Sequence, residues 1–107
     1  MKLTELNPSW LGHGGEGITN SITDEPIPYT HGAGISFDCP CGCEKKIAVT
    51  FNNPLDGERL SDRNAYWERS NDTFESLTLV PSILNRNIED NSEHWHGFIT
   101  NGEIITV

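Results

Sequence analysis

The sequence has few basic residues for its length. Seven Lys and Arg stand against 16 Asp and Glu in 107 residues, which gives a formal net charge of -9 with neutral His. A chain of that charge repels a phosphate backbone and an anionic membrane surface, so nucleic acid and membrane are poor candidates as partners. An acidic mimic of nucleic acid is kept as an alternative, but the acids are scattered along the chain, which favours an ordinary solvated surface.

Long apolar runs are also lacking. No stretch reaches the roughly 20 apolar residues of a membrane-spanning helix, and the N-terminus, MKLTELNPSWLGHGG, lacks the apolar core of a signal peptide. Cysteine is scarce, and its odd count of three does not suit a framework of disulfides. These absences predict a cytoplasmic protein with reduced thiols. The length predicts a single domain, residues 1–107.

Strand-like alternation is present within residues 33–107. The segment GISF places Ile35 and Phe37 on one face together with Cys39, and KIAVTF repeats the same alternation. The segments AYWERS and TFESLTLV predict two further short strands, and Pro81 ends the second because it cannot donate a ladder hydrogen bond. The pattern predicts an all-β domain made of a small antiparallel sheet or a sandwich-like pair of sheets.

Two segments show no such alternation. Residues 1–32 hold glycine-rich and proline-rich runs and predict an irregular arm in front of the β core. Residues 82–93, SILNRNIEDNSE, predict a loop or one helical turn.

The C-terminal stretch HWHGFIT-NG-EIITV predicts a β-hairpin. Asn-Gly between two β-rich runs is typical of a two-residue type I′ turn. That turn fixes the register, with Phe98 opposite Ile105 and His96 opposite Val107. Both faces are apolar close to the turn, so we expect the hairpin to be covered on both sides.

All three cysteines fall within five positions, and two histidines provide complementary ligands. Cys39 and Cys41 lie where a strand gives way to a Pro/Gly turn, and His94 and His96 are two residues apart on a predicted strand. Side chains at i and i+2 share a face, so both imidazoles are expected to approach one ion. Two thiolates and two imidazoles predict a closed structural Zn²⁺ site, with Cys43 as the alternative thiolate.

The ligand set leaves a second chemistry open. Five candidate donors compete for about four positions, so an open zinc coordinated by three residues and a water is the alternative. In that case Glu93 or Glu103 would act as general base in a zinc-dependent hydrolase. Against it, the sequence has no His-Glu-x-x-His and no zinc-deaminase signature.

Three motifs occur in a characteristic order: FDCPCGC, then WERS with ESLTLVPSI, then HWHGFITNGEI. Over about residues 33–105 this order resembles a family of small uncharacterised phage and bacterial proteins, a domain of unknown function often labelled "ammonia monooxygenase". The resemblance implies zinc binding. The family has a cysteine where this chain has Glu93, so His94 is expected to replace that ligand, with Glu93 itself as the other candidate.

The resemblance and the composition together lead to a functional prediction. We expect a small acidic accessory protein of phage type whose zinc staples the fold, located in the host cytoplasm if it is phage-encoded. It would act as an interaction module for a protein partner, such as a host or defence factor. This predicts a non-enzymatic role, with no catalytic residue and no cofactor other than Zn²⁺.

Overall fold

The computed structural model describes residues 1–13, 19, 22–26, 30–57, 59, 65–87, 90 and 92–107. A 3-10 helix, Leu3–Leu6, precedes eight strands in this part of the chain: β1 (Ser9–His13), β2 (Thr30–Asp38), β3 (Lys46–Thr50), β4 (Glu68–Ser70), β5 (Thr78–Val80), β6 (Ile83–Arg86), β7 (Glu93–Thr100) and β8 (Glu103–Thr106).

The described strands form three antiparallel sheets, ordered β1-β2-β3, β4-β5 and β6-β7-β8. The prediction of an all-β antiparallel fold is confirmed. Among the described residues, no helix has the length and apolar character needed to cross a membrane.

The first sheet is built on the predicted alternation. Ile35 pairs with Val49 and Phe37 pairs with Ile47, and all four side chains are buried. Because successive strand residues alternate between faces, one face of the sheet enters the core and the other meets solvent. One cluster of buried side chains joins the three sheets: Leu3, Leu6, Ile35, Phe37, Cys39, Ile47, Val49, Phe51, Leu77, Leu79, Ile83, Trp95, Ile99 and Ile104.

The C-terminal hairpin has the predicted turn and register. Asn101 and Gly102 both have positive φ, 48° and 76°, as a type I′ turn requires, and Phe98 pairs with Ile105. The expectation of cover on both faces is wrong. Only the face that carries Ile99 packs on the core, whereas Phe98 is 41% exposed and Ile105 is 49% exposed.

The segment 82–93 differs from its prediction. Instead of a loop or helical turn, it contains strand β6, in which Ile83 pairs with Gly97 and Leu84 pairs with His96. The sequence of this segment shows no clear apolar alternation, because Ile83 is the one fully buried side chain of the strand. Pairing with β7 stabilises it, and such tertiary context commonly outweighs weak local propensity.

The N-terminal segment predicted to be irregular contributes to the sheets where the structure describes it. Trp10 in β1 pairs with Ile35 of β2, and its ring stacks on Phe74 with centroids 4.4 Å apart. Most of the GHGGEG motif lies outside the described residues. The division into an arm and a core, within one domain, stays a prediction.

Candidate metal centre and serine–histidine pair

Four side chains converge between the first and the third sheet. The ligand atoms of Cys39, Cys41, Cys43 and His94 all lie within 4.8 Å of one another. The Sγ atoms of Cys39 and Cys41 are 3.2 Å apart, and His94 Nε2 lies 3.4 Å from Cys41 Sγ and 3.1 Å from Cys43 Sγ. The arrangement is a Cys₃His cluster.

The turn after β2 brings the three thiols to one point. The backbone N–H of Gly42 donates to the carbonyl of Cys39 over 3.1 Å, and the N–H of Cys39 donates to the carbonyl of Lys45 over 2.8 Å. Gly42 has a φ of 83°, a left-handed conformation that glycine adopts without steric cost. These features fold the CPCGC segment back on itself, so that its three sulfur atoms lie close together.

The cluster fits a tetrahedral zinc ion. With Zn–S bonds of about 2.3 Å and Zn–N bonds of about 2.0 Å, ligand sulfurs lie about 3.8 Å apart and sulfur–nitrogen pairs about 3.6 Å apart. The three distances given above are shorter than these values, so those atoms would have to move slightly apart to bind the ion. Soft sulfur and imidazole donors suit zinc better than Mg²⁺ or Ca²⁺.

Two of the thiols, those of Cys39 and Cys41, differ in how readily they ionise. Burial raises the pKa of the Cys39 thiol to about 12, because a thiolate there would lose hydration. Hydrogen bonds from Cys39 and Cys43 lower the pKa of the exposed Cys41 thiol. Cys41 is therefore available to a cation as a thiolate before Cys39, and the charge of the cation then favours ionisation of the buried Cys39.

His96 does not join this cluster. Its Nε2 lies 3.0 Å from the hydroxyl oxygen of Ser82, and its Nδ1 lies 3.6 Å from a carboxylate oxygen of Glu93. The structure thus brings together Cys39, Cys41 and His94 of the predicted ligands, adds the alternative Cys43, and places His96 in a second group. Glu93 belongs to that second group, and its carboxylate approaches His96 rather than the thiols.

A β-bulge explains how neighbouring residues of β7 reach different partners. Arg86 pairs with Glu93, but the next residue of β6, Asn85, pairs with Trp95. Two residues of β7, Glu93 and His94, therefore stand opposite one residue of β6. An extra residue of this kind bends the strand and redirects side chains. It lets the carboxylate of Glu93 reach the imidazole of His96, although strict alternation would place them on opposite faces.

Ser82 is held just before β6. The indole Nε1 of Trp67 donates a hydrogen bond of 3.2 Å to its backbone carbonyl, which fixes the main chain beside the hydroxyl. The sequence prediction missed this serine because it treated residues 82–93 as a loop, and a serine 14 residues from its histidine has no local signature. The signal that could have found it is the motif ESLTLVPSI, which contains Ser82.

Comparison with known proteins gives one family. No curated protein and no solved structure matches the chain. A family model described as "Bacterial ubiquitination-like system serine protease (BubE)" matches residues 16–107. The family is named for an enzyme, so the prediction of a non-enzymatic role is wrong, and nothing supports the "ammonia monooxygenase" label. A bacterial family does agree with the resemblance to small phage and bacterial proteins. The chain belongs to the family of bacterial ubiquitination-like system serine proteases, BubE.

Proposed function

We propose that the protein is a serine protease in which Ser82 is the nucleophile and His96 is its general base. The observation that carries this proposal is the 3.0 Å contact between Ser82 Oγ and His96 Nε2. A nucleophile within hydrogen-bond distance of a base, with that base oriented by a third group, is the arrangement that activates serine. The description of the family as serine proteases supports the same role.

In this proposal each group has a defined step. His96 Nε2 accepts the hydroxyl proton of Ser82 as Oγ attacks the carbonyl carbon of the scissile peptide bond. The imidazolium then returns that proton to the leaving amine, the C–N bond breaks, and an acyl-enzyme ester remains on Ser82. Water hydrolyses the ester in a second cycle of the same proton transfers. Such positioned proton transfer contributes about 100-fold to 10,000-fold to the rate.

Glu93 is the orienting group in this proposal. Its carboxylate lies 3.6 Å from His96 Nδ1, a longer separation than a hydrogen bond, and its side chain is 61% exposed. A carboxylate on Nδ1 keeps the proton on that nitrogen, which leaves Nε2 free to accept the serine proton. Solvent screens an exposed carboxylate, so we assign Glu93 a smaller contribution than His96.

We propose a structural role for zinc in the Cys₃His cluster. When bound, the ion would supply folding free energy by joining the turn after β2 to strand β7. Four protein donors fill a tetrahedral site and leave no position for a reactive water, which disfavours the zinc-dependent hydrolase considered from the sequence. Since His94 is two residues from His96, the same attachment would fix the strand that carries the base.

A protein component of a ubiquitination-like system is the natural substrate that we propose. This assignment rests on the description of the family and on no contact in the structure. The earlier expectation of a protein partner is kept in this form, with the partner as substrate.

A fluorophosphonate probe, which reacts covalently with activated serines, tests the proposal. We expect the full chain to be labelled and Ser82→Ala to lose labelling, because no other serine would be activated by His96. Ser70→Ala, an exposed serine on β4, is the matched control and should be labelled like the wild type. Circular dichroism of each variant checks that the fold is kept. Equal labelling of Ser82→Ala and wild type would overturn the assignment.

A further inference from the structure

The proposed catalytic pair lies on an exposed apolar sheet face. Ser82, Leu84, His96, Phe98, Ile105 and Val107 share one side of the β6-β7-β8 sheet, which we call the Ser82 face. Leu84 pairs with His96, and Phe98 pairs with Ile105, so these side chains are cross-strand neighbours. Leu84 is 39% exposed and Val107 is 72% exposed. Contiguous exposed apolar side chains of this kind typically mark a binding site.

The opposite side of the same sheet is fully used by the core. Ile83, Trp95, Ile99 and Ile104 are buried there at 8% exposure or less. A three-stranded sheet with one face in the core normally presents polar residues on the other face. The apolar side chains of the Ser82 face are therefore not part of this core.

The outer edge of β6 offers backbone hydrogen bonds beside this face. The N–H of Val107 donates to the carbonyl of His96, so the backbone groups of His96 point toward β8. In an antiparallel ladder the backbone N–H and C=O groups of successive residues point to opposite edges of the strand. The backbone groups of Gly97 and Trp95 therefore point toward β6. The N–H and C=O of Leu84, which pairs with His96, consequently point away from β7. No strand of the described residues pairs with this outer edge.

We propose that the Ser82 face binds a protein substrate as an extended peptide segment that adds to β6 as a further strand. The backbone of the segment would pair with Leu84, and a bulky aliphatic or aromatic side chain near the scissile bond would pack against Leu84 and Phe98. Strand addition of this kind takes affinity from main-chain hydrogen bonds and specificity from alternate side chains. This inference rests on the proposed protease function and adds the substrate class.

The charge around the Ser82 face also restricts which peptide sequences should bind. Glu93 stands at one end of β7 with a side chain 61% exposed, on a chain of net charge -9, whereas the Glu103 carboxylate lies 3.9 Å from the N-terminal ammonium. The Glu93 carboxylate and the net negative charge of the chain repel acidic side chains and attract basic ones. The preferred segment is therefore apolar at its centre and neutral or basic in its flanks.

A peptide library made by digesting a bacterial proteome gives the test, with cleavage sites read by mass spectrometry. We expect enrichment of Leu, Ile, Val, Phe or Met at one position beside the cleaved bond and depletion of Asp and Glu around it. A quenched fluorogenic peptide with the preferred sequence then reports kcat/KM. Leu84→Ser and Phe98→Ser should each lower kcat/KM by about tenfold, since an apolar pocket discriminates by that order.

Matched controls separate this inference from the protease assignment. Ile22→Ser changes an exposed aliphatic residue outside the β6-β7-β8 sheet and should cleave like the wild type. A scan of single backbone N-methyl groups through the peptide should find one position that blocks cleavage, because the methyl removes a hydrogen bond to Leu84. This scan leaves the protein unchanged and so remains informative if a variant fails to fold.

Several results would overturn the inference. If Ser82→Ala is inactive but Leu84→Ser and Phe98→Ser cleave like the wild type, the protease assignment stands and the substrate face is wrong. Hydrolysis of p-nitrophenyl octanoate without cleavage of any library peptide would assign the face to acyl chains. A dimer in sedimentation that Phe98→Ser dissociates would assign it to a second copy. Activity retained by Ser82→Ala would remove the protease proposal itself.

Discussion

His94 and His96 show how two identical side chains on one strand acquire different chemistry. His94 Nε2 faces two thiols at 3.1 Å and 3.4 Å, whereas His96 Nε2 faces a hydroxyl at 3.0 Å. We propose that the first imidazole is a metal ligand because it faces two thiols, and that the second is a base because it faces a hydroxyl. Both residues lie on β7, so a metal ion bound by His94 would also restrain the strand that carries His96.

Replacing each histidine in turn should separate the two tasks. We expect His94→Ala to lower the zinc content clearly below about one ion per chain, because the cluster loses its one nitrogen donor. His96→Ala should keep its zinc and lose fluorophosphonate labelling, because Ser82 loses its base. Elemental analysis and labelling of the same samples give both readings. Zinc lost on His96→Ala and kept on His94→Ala would reverse the ligand assignment made here.

Replacing Glu93 should slow fluorophosphonate labelling less than replacing His96. Glu93→Gln removes the charge near His96 Nδ1 but keeps the shape, so we expect the rate of fluorophosphonate labelling to fall by about tenfold, against at least about 1,000-fold for His96→Ala. Glu5→Gln, an exposed acid in the 3-10 helix, controls for the change in net charge. Equal rates for Glu93→Gln and wild type would remove Glu93 from the site.

At the scale of elements, the type I′ turn between β7 and β8 does more than join two strands. Gly102 is buried, its N–H donates to the carbonyl of Leu77 and its carbonyl accepts from the N–H of Leu3, both over 2.8 Å. An added Cβ at this position would collide with the backbone carbonyl of Glu75 and approach that of Phe74 to 3.1 Å. The turn therefore needs glycine for both its conformation and its packing.

Two alanine substitutions distinguish these requirements. Gly42 and Gly102 have similar left-handed φ values, 83° and 76°, but an added Cβ at Gly42 has no neighbour within 4 Å. Gly42→Ala should cost about 1 kcal/mol of unfolding free energy from the backbone alone. Gly102→Ala should cost about 2 kcal/mol more, because backbone must shift to accept the methyl. Urea unfolding with equal zinc content measures both, and equal losses would contradict the role given to close packing.

The elements that sequence reasoning predicted are those with a local physical signature. The alternation that places Ile35 and Phe37 on one face was sufficient to predict β2, and the Asn-Gly turn was sufficient to predict the terminal hairpin with its register. Strand β6 lacks such a signature because its stability comes from pairing with β7.

The candidate site could also be predicted from the sequence only in part. A cluster of cysteines near two histidines predicts a metal centre, because thiols so close together imply shared coordination. The separation of His94 from His96 depends on a bulge, and a bulge is set by how two strands pair rather than by either sequence. The contact of Ser82 with His96 likewise exists only once β6 and β7 are paired.

At the scale of the whole molecule, the Cys₃His cluster connects two sheets. Its three thiols come from the turn after β2 in the first sheet, and its imidazole comes from β7 in the third. Cys39 also belongs to the buried core that joins the sheets. A chain of 107 residues has a modest margin of stability, so a metal ion bound between the sheets would supply a large fraction of it.

Removing the metal should therefore affect both stability and the catalytic pair. We expect a chelator to lower the Tm by at least about 10 °C, because the free energy of zinc binding is part of the folding free energy. Fluorophosphonate labelling should slow at temperatures where the metal-free chain is still folded, since His94 no longer fixes the strand that carries His96. Both effects should reverse when zinc is added back.

Two variants show whether those effects come from the cluster. Cys41→Ser should start with a low Tm and show little further response to chelator, because the ion is already lost. Ser82→Ala should keep the full chelator-dependent fall in Tm although it is never labelled, because its cluster is intact. Identical melting with and without chelator would mean that the sheets hold together without the ion. A lowered Tm with unchanged labelling would mean that zinc stabilises the fold but does not position His96.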